Sequence, residues 1–181
     1  MPILGTIASQ VPANLPTNSY ESIATYTVGA GGTSSFTFSS IPSTYKHLQV
    51  RGIALNTGQD TLFMAFNSDT TGSNYRDHQV GGNASSVFAY SNAGVNGGGG
   101  GIGLTSQTAG AGNIIDILDY ANTNKYKTSR NLWGVDRNSA GSTGLYSGLW
   151  MSTSAVNSIT FSTFTYPFLQ HASFALYGIK G

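Results

Sequence analysis

The sequence contains no cysteine. Disulfide staples, thiolate metal sites and thiol nucleophiles are therefore excluded. Charge is nearly as scarce: Asp, Glu, Lys and Arg make up 8% of the 181 residues, against about 25% in ordinary soluble proteins. A net charge of +1 supplies no broad field to draw in nucleic acid or an anionic lipid surface. No apolar run approaches the roughly 20 residues of a spanning helix, so membrane insertion is not expected. No basic residue precedes Lys46, and without a positive n-region a secretory signal is not expected either. Helical periodicity is also missing, since no window repeats apolar residues at helical spacing over three turns.

What fills the sequence instead is Ser, Thr, Asn and 24 glycines around a hydrophobic content of 39%, with 12% aromatic residues. Disordered chains are poor in both classes. Alternation begins at Tyr20. Phe36 and Phe38 share one face of a short segment, as do Leu48, Val50 and Ala54, with His47, Gln49 and Arg51 on the other side. Leu62, Met64 and Phe66 precede a turn at Asn67-Ser68-Asp69, and a strand is expected over Tyr75–Val80. Val87–Tyr90, Ile114–Tyr120, Asn131–Val135, Leu145–Met151, Ile159–Phe164 and Ser173–Ile179 continue the series. About ten strands at this spacing predict an all-β chain, an antiparallel β-sandwich of jelly-roll or lectin-like form. Residues 92–101 hold five consecutive glycines and predict a loop, and one helical turn is expected near Ile41–Tyr45. Residues 1–18 carry Pro2, Pro12 and Pro16 and predict an extended N-terminal arm, whose Ile3, Leu4, Ile7 and Val11 dock on a neighbour. Residues 19–181 form a single domain.

Catalytic chemistry has little to work with. His47 is expected at the surface and His171 in a packed or hydrogen-bonded position. In Arg76-Asp77-His78 adjacent side chains point to opposite faces of a strand, so Asp77 and His78 cannot act as a pair and a solvated strand is expected. Asp116 and Asp119 are three apart and diverge in the same way, which removes a glycosidase acid pair; Asp116, if buried, is expected to meet Arg130 or Arg51. No calcium loop, zinc pair or phosphate loop is present, and neither a metal nor a cofactor is expected. Lys125, Lys127 and Arg130 form a weak basic cluster, so no nucleic acid is expected. Surplus tyrosine is the remaining resource: Tyr90, Tyr126 and Tyr146, read as lying in or near loops, are candidate contacts to a receptor or glycan.

Three stretches carry a resemblance. Met1-Pro2-Ile3-Leu4-Gly5-Thr6-Ile7-Ala8-Ser9, the segment from Ile114 to Lys127 (IIDILDYANTNKYK), and Phe174-Ala175-Leu176-Tyr177-Gly178-Ile179-Lys180-Gly181 resemble small structural proteins of tailed bacteriophages, especially marine and cyanobacterial ones. The resemblance implies a β-sandwich located in the virion, on the particle exterior, with other tail or capsid proteins as partners. A homotrimer is expected. A tail-associated fibre or adhesin module touching a host surface glycan is the favoured role, and a head decoration (cement) protein is the alternative. A carbohydrate-binding module or glycan hydrolase is a distant third, and an enzyme is not expected.

Overall fold

Alternating apolar residues build twelve strands among the residues that the computed structural model describes, which are 19–94, 97–106, 109–138 and 140–181. Ile3, Leu4, Ile7 and Val11 of the expected arm lie outside them. The strands are β1 (Tyr20–Thr27), β2 (Ser35–Phe38), β3 (His47–Ala54), β4 (Asp60–Phe66), β5 (Tyr75–Asn83), β6 (Val87–Ala93), β7 (Gly100–Thr105), β8 (Ala111–Leu118), β9 (Lys127–Asp136), β10 (Gly141–Trp150), β11 (Ile159–Thr163) and β12 (Ser173–Ile179). They form two antiparallel sheets. The larger runs β1-β12-β3-β8-β9-β10-β5-β6 and the smaller β2-β11-β4-β7. The chain is thus an all-β sandwich.

The sheets meet through the side chains that the alternation marks. Phe36 and Phe38 of β2, Phe161 of β11, and Leu62, Met64 and Phe66 of β4 pack against Leu48 and Val50 of β3, Ile115 and Ile117 of β8, and Phe174 and Leu176 of β12. Phe174 sits at the centre of an aromatic group, with ring centroids 4.9 Å from Phe36, 5.4 Å from Phe161 and 5.8 Å from Phe168. Each such side chain contributes about 1.5–3 kcal/mol through the apolar area it removes from water. A second cluster comprises Ala111, Trp133, Val135 and Tyr146, with Phe88 against it. All five come from the larger sheet.

Two local expectations are corrected. The glycine run is not all loop, because β7 starts inside it at Gly100. At two glycines in and beside this edge strand the backbone lies so close to its neighbours that a side chain does not fit. A Cβ on Gly99, which has φ +85°, would stand 2.5 Å from the Met64 carbonyl oxygen, and one on Gly103 2.6 Å from the Asn113 and Asn131 amides. Glycine here permits close approach rather than flexibility. Ile41–Tyr45 forms no helical turn: the Ile41 N–H donates to the Asn157 carbonyl at 2.9 Å, and the Tyr120 hydroxyl donates to the Pro42 carbonyl. A 3₁₀ turn falls at Gly72–Asn74 instead. Asp69 organises that corner, accepting from the Thr71 N–H, the Asn74 amide and the Trp150 indole at 3.0, 2.9 and 2.7 Å. Burial opposes its charge, but these bonds outweigh burial and lower its pKa.

Candidate functional site

Strand β5 puts Tyr75, Asp77 and Gln79 on the inner face of the larger sheet and Arg76, His78 and Val80 on the outer face. Asp77 stands opposite Gly148 of β10 and Asn92 of β6. The expectation of a solvated strand fails here, because Asp77 is only 2% exposed. The cause is the free edge of β7, which closes over this part of the face. The Asn92 amide donates to Asp77 Oδ1 at 3.1 Å, and the Gly101 N–H of that edge also donates to the carboxylate. Burial raises the Asp77 pKa, with the Asn92 and Gly101 bonds and the charge of His78 pulling the other way.

Beside this carboxylate lies a cavity of about 250 Å³, lined by Thr61 and Phe63 of β4, Gly101 of β7, Asp77, Asn92 and Ala93, and Tyr146 of β10. Gly101 is its floor. A Cβ there would lie 3.5 Å from Thr61 Cγ2, 3.6 Å from Asp77 Oδ2 and 3.9 Å from Tyr146 Cε1. Those are ordinary contact distances, so glycine keeps open a space that alanine would begin to fill. Burial, then the charge of Asp77, pushes the Tyr146 hydroxyl up to about 12, leaving it a neutral donor and acceptor. On β6 the Phe88 and Tyr90 rings stack at 5.6 Å between centroids, and Tyr90 remains 57% exposed.

Neither a protein-family model nor a curated protein matches this sequence.

The recess combines a carboxylate, a carboxamide and hydroxyls with ring surfaces. Such a set suits a small polyol, whose hydroxyls pair with the polar groups and whose C–H faces lie on the rings. Among the described lining residues Asp77 is the one carboxylate. The recess itself therefore lacks the acid pair that glycoside hydrolysis uses.

The three tyrosines singled out in the sequence are separated by the fold. Tyr90 and Tyr146 lie within strands rather than loops, and both align with Gln79 in register, on the same inner face. Tyr146 is buried at 6% exposure. Tyr126 is exposed in the β8–β9 connection, beyond the Lys127–Trp150 end of the sheet and away from the other two. Asn92 escaped the sequence reading, which weighed Asp77 but set it on a solvated strand. The signal was present, since Asp77 shares its face with the buried Tyr75.

The basic cluster also comes apart. Lys127 is fully buried, and its Nζ donates to the carbonyls of Asn122, Lys125 and Thr153 at 2.7, 3.0 and 3.1 Å. Lys125 pairs with Asp119, which Lys46 also approaches at 3.1 Å. Asp116 is half-buried and meets neither arginine directly. It accepts from Gln49 Nε2 at 2.7 Å, and Arg51 Nε in turn donates to Gln49 Oε1 at 2.7 Å. His171 is an exposed turn residue with φ 76°, two positions before β12 begins.

Proposed function

We propose that this chain is an exterior structural protein of a tailed bacteriophage, a tail-associated fibre or adhesin module that holds a host-surface saccharide without turning it over. The observation that carries the reading is the Asp77–Asn92–Tyr146 recess at the free edge of β7, with the Phe88–Tyr90 pair beside it. The likeness of three segments to phage structural proteins supports the virion setting. Strand order supports the jelly-roll form of the sandwich: setting aside the hairpins β5–β6 and β9–β10 leaves β1-β12-β3-β8 and β2-β11-β4-β7, an arrangement that viral and lectin domains use.

Immunogold labelling with antibodies to this chain, on virions of the phage that encodes it, tests the placement. Gold on tails is the expected result. Gold on heads would replace the adhesin with the decoration role, and unlabelled virions would remove the virion reading altogether.

A further inference from the structure

Two adjacent rows on the outer face of the larger sheet are apolar where a sheet face exposed to water is normally polar. Register places Ile114 of β8, Leu132 of β9, Leu145 of β10 and Val80 of β5 side by side in one row. Leu132 and Val80 are 57% and 55% exposed, and Ile114 and Leu145 are also exposed. The next row reads Ile53, Gly112, Gly134, Thr143, Gly82 and Val87 across the same strands. A Cβ on Gly112 or Gly134 would meet nothing closer than 3.5 Å. The first row is thus a ridge, and the second a trough bounded by the exposed Ile53 and Val87. A groove of about 650 Å³ runs along its Ile53–Gly134 end.

We propose that a second copy of this chain packs face to face on this surface across a two-fold axis. A ridge beside a parallel trough is self-complementary, because a copy turned by 180° lays its ridge in the other's trough. That is the condition for an isologous interface. Charge permits it. Apart from Arg51, which is tied to Gln49 at the end of the ridge and lies over the Tyr20 and Tyr177 rings at 5.4 and 5.6 Å, the two rows contain no charged residue. The row beside the ridge carries Asp116 and Arg130 and the row beside the trough Asp136, and a copy turned about an axis along the rows sets Arg130 of β9 opposite Asp136 of β9. The area is sufficient. Six strands spaced about 4.8 Å apart and four outward rows spaced about 6.7 Å apart, the two apolar rows with one polar row on each side, give roughly 500–800 Å² per copy, near the ~800 Å² per partner of a stable complex.

Sedimentation velocity and light scattering on the full chain, from 1 to about 100 µM, test the pairing. The expected result is twice the chain mass, returning to a single chain in Leu132→Glu and in Val80→Lys, both with an unchanged circular dichroism melt. Gly101→Val, in the recess, stays paired, which separates this proposal from the saccharide reading. A wild type that is monomeric throughout overturns the proposal, as does a trimer. A dimer that survives both face variants but dissociates on deletion of residues 1–16 overturns it in favour of the arm.

Discussion

Lys127 carries its charge into the interior and satisfies it on three backbone carbonyls that hold the β8–β9 connection against residue 153. Hydrogen bonds from charged groups contribute about 1.5–3 kcal/mol each. Lys127→Met fills the same space without the donors and is expected to lower stability by at least about 2 kcal/mol in a urea titration; an unchanged midpoint would show the connection holds without them. Sequence cannot distinguish such a lysine from a solvated one, since both read as a basic residue near a turn. Phe174 was legible, because alternation marks it as inward, and its position against three other phenylalanines makes truncation costly. Phe174→Ala is expected to cost about 3–5 kcal/mol. Asp77 and Asp119 respond to acid in opposite directions. Burial raises the folded pKa of Asp77, so its contribution to stability is full below the unfolded value and is lost as pH rises through the folded one. Lys125 and Lys46 hold Asp119 down to about 2, so its contribution is present above the unfolded value and fades as pH falls from about 3.8 towards 2. Between pH 7 and 4 the wild type should therefore gain stability relative to Asp77→Asn. A constant difference across that range would mean that the carboxylate is as well solvated folded as unfolded.

At the scale of elements, the strands that carry an alternating row of large apolar side chains were readable. β2, β3, β4 and β12 follow the alternation of Phe36/Phe38, Leu48/Val50, Leu62/Met64/Phe66 and Phe174/Leu176. β7 was not, because glycines carry no alternation. Its strand character comes from pairing with β4 and from the close approach that glycine allows. Gly103→Ala tests that origin. The added methyl meets the Asn113–Asn131 amide pair, which is bonded at 2.8 Å and buried. A loss of about 1–3 kcal/mol is expected, whereas a neutral result would mean that β7 has room to move off the larger sheet. β9 misled for a related reason. Its inner face holds Lys127, Ser129 and Asn131 before Trp133 and Val135, so polar residues occupy core positions and the apolar pattern marks only its second half.

For the whole molecule, the mismatch between an eight-stranded and a four-stranded sheet is the feature that creates surfaces for binding. The short sheet ends at β7, whose free edge closes over the inner face of β10 and β5 and leaves that of β6 largely exposed. There Asp77, Asn92 and Tyr146 gather from three strands, together with Thr61, Phe63 and Gly101 from the small sheet. No single stretch of sequence contains that set; it exists only through strand order, which alternation does not encode. The sandwich could be read from the sequence, the recess could not. Its claim to hold a saccharide is tested most directly by a glycan array probed with the labelled wild type beside Gly101→Val, whose added methyls occupy the cavity from its floor. The account predicts that the wild type binds a defined subset of glycans and that the variant, with an unchanged melting temperature, binds them at least tenfold more weakly. Equal binding by the two proteins, or none by the wild type, would contradict it.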